Sequence, residues 1–142
     1  MVNSPAPIRV DCVGGIVTDG TGRLLLIRRG KEPSRGCWSV PGGRVESGET
    51  LEAATGRELL EETGLHVRVG ALVGTVEREA PDGSTFVIYD FACTPIGPSR
   101  HVVAGDDADD VGWFTPEQLL TLDCAPGLVE ALVEWGVLSS SS

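Results

Sequence analysis

Three glutamates, Glu58, Glu61 and Glu62, fall within five consecutive residues of a segment whose pattern predicts a helix. At 100° per residue their side chains lie within about 100° of one another, on one side of that helix. Like charges so placed repel, each pair costing a few tenths of a kcal/mol in an exposed helix. A divalent cation among them removes that repulsion. Mg²⁺ prefers carboxylate oxygens, keeps several waters and is completed by substrate phosphates, and Mn²⁺ can stand in for it. A cation there can neutralise a diphosphate and lower the pKa of an attacking water. Arg57, adjacent to the cluster, can orient one carboxylate through a bidentate pair. A glutamate-rich helix face is also what an ordinary solvated surface presents, so the flanks matter. Gly42-Gly43 precede the cluster and bring bare backbone where a metal or phosphate could approach closely.

The helix itself is delimited by its sequence. Thr50 is a candidate N-cap, Glu49 and Glu52 suit the positive helix start, and Gly64 suits the left-handed residue past the end, giving a helix from Thr50 to Thr63. Ala53, Gly56, Leu60 and Thr63 are expected to face a sheet, opposite the glutamates. Ile8 to Val17 and Arg23 to Arg29 read as a hairpin around a Thr-Asp-Gly-Thr-Gly turn. Cys37 to Val40 reads as a short strand stopped by Pro41-Gly42-Gly43. Val67 to Glu79 and Ser84 to Thr94 read as strands around Ala80-Pro81-Asp82-Gly83. An acidic loop, Gly105 to Asp110, precedes a short strand through Trp113, and Pro116 to Leu122 and Pro126 to Gly136 read as helices. Strands with helices between and after them place the chain in the α+β class. One domain over residues 1–142 is the simple division, with 1–7 and 139–142 expected to be flexible.

Composition narrows the function further. The chain has 142 residues, 21 Asp and Glu against 11 Lys and Arg, and a formal net charge of −10. Such a field repels nucleic-acid backbones, so a polymer partner is not expected. An acidic protein that handles a phosphorylated small molecule needs cations to mediate the contact. No apolar run of membrane-spanning length and no secretion signal are evident, and four scattered cysteines form no C-x-x-C pair. A cytoplasmic setting with reduced thiols follows as the expectation.

The stretch from Gly43 to Leu65 resembles the Nudix box. Its pattern fixes a glycine, a glutamate, an Arg-Glu pair followed by an aliphatic residue, a Glu-Glu pair, and a closing glycine and aliphatic residue. Here these are Gly43, Glu49, Arg57, Glu58, Leu59, Glu61, Glu62, Gly64 and Leu65, and every specified position matches. The preceding Trp38-Ser39-Val40-Pro41-Gly42 also resembles the run into the box. The resemblance implies an α/β/α sandwich around a mixed sheet. It also implies Mg²⁺-dependent hydrolysis of a nucleoside diphosphate linked to another group. By position, Glu58 and Glu62 would be the main metal ligands, Glu61 would contribute, the Gly42 carbonyl could join, and Arg57 and Glu49 would brace the loop. The family often dimerises, and the apolar segment Leu128 to Leu138 suits either a core or an interface.

Outside the box, Asp107 in the loop GDDADD is the favoured general base among Asp106, Asp107, Asp109 and Asp110, each of which could equally sit in a solvated turn. Arg28, Arg29, Lys31 and Arg35 form the basic cluster, and Arg28 is expected to point at a cleft and meet a phosphate. Trp38, Trp113 and Phe114 could stack on a base or pack in the core, and Gly43 and Trp38 complete the candidate substrate contacts. A proline sixteen residues beyond the box, Pro81, resembles the marker of ADP-ribose hydrolases, although Pro-Asp-Gly is also an ordinary turn. ADP-ribose is therefore the favoured substrate. The alternatives are a house-cleaning pyrophosphohydrolase of oxidised nucleoside triphosphates and a non-catalytic nucleotide sensor.

Overall fold

A computed structural model of the chain describes residues 8–138. The terminal segments 1–7 and 139–142, expected to be flexible, lie outside the described residues. The strands are β1 (Arg9–Val17), β2 (Leu24–Arg29), β3 (Trp38–Ser39), β4 (Gly42–Arg44), β5 (Val67–Glu79), β6 (Thr85–Pro95) and β7 (Ala108–Phe114). The helices are α1 (Leu51–Thr63), α2 (Pro116–Leu119) and α3 (Leu128–Glu134). The α+β class holds, and the strands divide into two sheets. The larger is mixed, ordered β4-β1-β6-β5, and the smaller is ordered β3-β2-β7.

That division corrects the hairpin expected between the first two strands. Only a bridge from Thr18 to Leu24 links them. The Asp19 carboxylate accepts from the Thr21 amide and hydroxyl and from the Arg23 amide, and the Asp19 amide donates to the Arg23 carbonyl, which closes the turn without a ladder. β1 instead runs parallel to β6, from Arg9 opposite Thr85 to Val17 opposite Cys93. On its other side it takes β4, antiparallel at Gly14 and Gly42. The Pro-Gly-Gly run read as a strand stop thus supplies a strand of its own. Residues without side chains are tolerated there because β4 lies tight on β1: a Cβ on Gly42 would stand 2.0 Å from the Val13 carbonyl oxygen.

Alternation along the larger sheet assigns its two faces. Val13, Val17, Phe91 and Cys93 turn to α1, where Ala54, Leu59 and Leu65 complete one core. On the smaller sheet and beyond, Ile16, Leu24, Leu26, Leu119, Leu132 and Leu138 form a second core under α2 and α3. The apolar C-terminal segment therefore belongs to the interior. Both C-terminal helices are shorter than the sequence suggested. α2 is held by a reciprocal cap in which Thr115 and Gln118 satisfy each other's backbone amides.

α1 forms where its caps dictate: Thr50 accepts from the Ala53 amide at 3.0 Å, and Gly64 ends it at φ 73°. Its buried face differs from the expected one. Ala54, Thr55, Leu59, Glu62 and Thr63 are buried, whereas Leu60 is exposed and Ala53 faces solvent. The helix rolls so that the Leu59 edge meets Gly15 of β1, where a Cβ would stand 2.4 Å from Leu59 Cδ2. That roll carries Glu62 inward with Leu59. Among the described residues the four cysteines are unpaired, and no helix is long and apolar enough to cross a membrane.

Leu59 joins the box helix to the sheet and is fully buried. Leu59→Ala should lower stability by about 2–5 kcal/mol, the range for a leucine deleted from a close-packed site. Urea denaturation followed by circular dichroism measures it, and a loss below about 1 kcal/mol would contradict the packing described.

Candidate active site

The cap at Thr50 and the roll of α1 fix where its glutamates point, and Arg57 fixes how they are held. The Arg57 guanidinium donates from Nε and Nη2 to the two oxygens of Glu49, at 2.7 and 2.8 Å. Its Nη1 donates to Glu58 at 2.8 Å and to Glu61 at 3.1 Å, and Nη2 also meets the Arg44 carbonyl at 3.1 Å. One planar cation thus ties the loop before α1 to two of the three clustered carboxylates. Its pKa rises above the ordinary arginine value because Glu49, then Glu58, bind its charged form against some desolvation. Glu49 moves the other way, down to about 2, chiefly through its hydrogen bonds from Arg57 and then through the Glu46 amide.

Glu62 has a different environment. It is 8% exposed, its Oε2 has no hydrogen-bond partner, and burial lifts its carboxyl to about 8, with the nearby Glu58 charge adding to the rise. The Gly42 backbone amide is the hydrogen bond that opposes this shift. Burial also raises Glu58, against the pull of Arg57. Gly43 leaves the room that Glu58 occupies, since a Cβ there would lie 2.6 Å from its carboxylate. A buried, unpartnered carboxylate oxygen beside a second partly buried carboxylate is costly without a counter-charge.

These groups border two adjoining cavities. Glu58, Glu61, Glu62, Gly105, Asp106 and Asp107 line one of about 470 Å³. Glu58, Glu62, Gly42, Gly43, Asp107, Arg29 and Lys31 also border a larger one of about 790 Å³ that runs over one face of the β4-β1-β6-β5 sheet. Among the described residues no three donors converge into a closed cage. The carboxylates instead line the cavity walls, as suits a cation that keeps waters and shares ligands with a bound anion. The donor set is oxygen only, and the orphaned Glu62 oxygen lacks a positive partner. Such a set suits a hard divalent cation, and Glu58, Glu61 and Glu62 are the residues that could hold one.

Asp107 lies at the junction of the two cavities and pairs with Lys31 at 2.7 Å. Asp109 and Asp110 fall within β7, so the acidic loop ends earlier than its composition suggested. Arg28 does not reach the cavity and is exposed; Arg29 lines it and donates to the Pro33 carbonyl at 2.6 Å. Strand parity explains the exchange, because successive side chains of β2 leave opposite faces. Trp38 is likewise absent from the lining. Its ring meets Phe114 edge to face at 4.8 Å in the second core, and the Trp113 indole donates to the Arg100 carbonyl. Sequence reading missed Arg44 and Phe86, which form a cation–π pair at 5.4 Å in the larger cavity, together with Arg78, Trp135 and Asp90. For Asp90 a signal existed: it is a lone acid in an apolar strand, FVIYDFAC.

The Glu49 carboxylate is favoured in the folded chain relative to the unfolded one, so its contribution is present above the ordinary value of 4.5 and fades as pH falls toward 2. The urea midpoint of the wild-type protein should therefore drop between pH 4.5 and 2 more steeply than that of Glu49→Gln. Parallel profiles for the two proteins would mean that Glu49 carries no folded-state preference for its charge.

Residues 8–134 match the NUDIX domain family. An ADP-ribose pyrophosphatase from Methanocaldococcus jannaschii is 41% identical over 103 residues, 72% of this chain and 59% of that protein. The human 8-oxo-dGDP phosphatase NUDT18 is 32% identical over 124 residues, 82% of this chain and 37% of that one. The chain thus spans less than two-thirds of either relative. The crystal structure of a MutT protein from Methanosarcina mazei superposes with a TM-score of 0.80, covering 94% of this chain and 96% of that one at 23% identity, a likeness of fold.

Proposed function

The chain belongs to the NUDIX domain family, and from that premise we propose that it is a Mg²⁺-dependent hydrolase of the pyrophosphate linkage in a nucleoside diphosphate derivative, with ADP-ribose the favoured substrate. The observation that carries this reading is the buried, unpartnered oxygen of Glu62 beside Glu58, at the edge of a cavity large enough for a nucleotide. Glu58 and Glu62 hold the cation, with Glu61 contributing and the Gly42 carbonyl a further candidate. Mn²⁺ can replace Mg²⁺ in an all-oxygen set. When bound, the cation supplies charge neutralisation for the diphosphate and a lowered pKa for water.

The protein's own groups do the rest. Arg57 and Glu49 hold the loop and helix in register, so the carboxylates stay where the cation is needed. Arg29 and Lys31 lie where phosphate oxygens can reach them, which supports phosphate binding by Arg29 in place of Arg28. Glu61 is the most exposed of the three clustered glutamates and can accept a proton from an attacking water. Asp107, which lines the same cavity and is paired with Lys31, is the second candidate for that role. One NUDIX domain over the whole chain, acting in the cytoplasm on a small-molecule nucleotide, alone or as a homodimer, completes the proposal.

ADP-ribose is favoured by the 41% identity to the archaeal pyrophosphatase and by Pro81 in the β5–β6 turn. The likeness to a human 8-oxo-dGDP phosphatase supports the second reading, an oxidised guanine nucleotide. With Mg²⁺ the wild-type protein should convert ADP-ribose to AMP and ribose 5-phosphate, resolved by chromatography. Glu62→Gln should lower kcat by about a hundredfold or more, as expected when several kcal/mol of charge stabilisation are lost. Phosphate released from 8-oxo-dGDP while ADP-ribose stays intact would move the substrate to the second reading. Full activity in Glu62→Gln would contradict the site.

A further inference from the structure

Away from the glutamate cluster, the larger cavity has an apolar wall. Leu128, Ala131, Leu132 and Trp135 line it, at the i, i+3, i+4, i+7 spacing of one helical face, so the wall is one side of α3. Val76 of β5 and Ile88 of β6 line the same cavity from the sheet. α3 is fastened to β5 at two points. Near its start the Arg78 guanidinium donates from Nη2 to the Pro126 carbonyl at 3.0 Å. Gly127, the next residue, has φ 83°, and a Cβ there would stand 2.4 Å from Arg78 Nη2. At the other end the Trp135 indole lies against Gly74, where a Cβ would stand 2.1 Å from the ring. The two spans agree in length. Gly74 to Arg78 is about 13 Å of strand, and Gly127 to Trp135 is about 12 Å of helix. α3 therefore lies along β5 and runs antiparallel to it.

The two ends of α3 are not equally secured. Past Trp135 the chain turns back, where the Val137 and Leu138 amides donate to the Leu132 carbonyl, and Leu132 and Leu138 are buried in the second core. The stretch before α3 is tied to the smaller sheet instead. There the Trp38 amide donates to the Asp123 carbonyl and the Ala125 amide to the Trp38 carbonyl, both at 2.8 Å. Among the described residues, the Arg78 hydrogen bond is the one that joins this end to the larger sheet. Without it, Ala125 to Leu128 stay with the smaller sheet while the gap to β5 is free to widen.

We infer that Arg78 is a positioning residue for the nucleotide: by clipping α3 to β5 it sets the width of the apolar part of the cavity, where the nucleoside is held. This inference rests on the nucleotide reading given above. In that reading the phosphates lie with Arg29 and Lys31, which leaves the apolar wall and floor for the flat nucleoside portion. Dispersion contacts fall off steeply with distance, so a wall that swings away by an ångström loses them over a whole ring face. The clip acts through α3 rather than on the ring, because the guanidinium is engaged by the Pro126 and Glu77 carbonyls. Arginine suits that task, since its planar fork reaches both carbonyls at once. A clip of this kind carries no preference among bases.

Calorimetric titration of AMP and GMP into the whole protein tests this, with wild type, Arg78→Gln, Gly127→Ala and the double variant compared. Arg78→Gln should bind both nucleotides about tenfold more weakly than wild type, the scale of one lost hydrogen bond. Gly127→Ala displaces the same guanidinium, so it should weaken binding similarly and add little in the double variant. With ADP-ribose as substrate the loss should fall in KM, with kcat within about twofold of wild type. Hydrogen exchange without ligand should quicken at the Leu128 and Ala131 amides of Arg78→Gln, while its urea midpoint stays near that of wild type. Equal AMP affinity in wild type and Arg78→Gln, a loss confined to one base, or unchanged exchange at α3 would overturn the inference while leaving hydrolysis untouched. Weaker binding of both nucleotides together with faster α3 exchange, in a protein that cleaves no ADP-ribose, would uphold the inference and sink the hydrolase reading alone.

Discussion

The Arg57 guanidinium and the carboxylates around it are the constraint on which the site depends. Three glutamates on one side of a helix do not gather of their own accord, and Glu58 and Glu62 are additionally drawn out of water. Arg57 spends its donors on Glu49, Glu58 and Glu61 at once, so it fixes the loop, the helix and two carboxylates with a single charge. Lysine could not replace it, because a point charge cannot hold a bidentate partner and a second carboxylate in one plane. Glu62 is the carboxylate left outside this network, and its buried oxygen has no hydrogen-bond partner.

Glycine is the second constraint, acting at close approaches rather than at turns. Gly43 makes room for Glu58, Gly42 lets β4 lie on β1, Gly15 receives Leu59, and Gly14 receives Asp90. Together they bring a helix, a strand pair and two carboxyls within reach of one cavity. The larger sheet then divides the labour between its faces. One face packs against α1 and anchors the glutamates, and the other forms the floor of the larger cavity.

Much of this was legible in the sequence, and the legible part was local. Thr50 and Gly64 mark the ends of α1 by their own capping chemistry, and the β5–β6 hairpin announces itself through Pro-Asp-Gly. The spacing of Glu58 and Glu61 against Arg57 and Glu49 likewise places them in one network. What failed depended on partners distant in the chain. Local signals pair β1 with its sequence neighbour, yet β6 offers a full parallel register that no local signal encodes. Small residues suggest one buried face for α1, yet Leu59 meeting Gly15 decides the roll and takes Glu62 inward. Arg28 and Arg29 are chemically alike, so only the parity of β2 against the cavity separates them. Trp38 found its partner in Phe114, which is brought alongside by β7.

The central claim is that Glu58 and Glu62, kept in place by Arg57 and given room by Gly43, form the seat of a divalent cation. Electron paramagnetic resonance of Mn²⁺ counts free and bound ion directly, without reference to any substrate. Titrated into wild type, Glu62→Gln and Gly43→Ala, Mn²⁺ should bind the wild-type protein and bind both variants at least about tenfold more weakly, in line with the effect of disturbing groups around a metal. Equal binding by all three proteins would place the cation elsewhere and contradict the account.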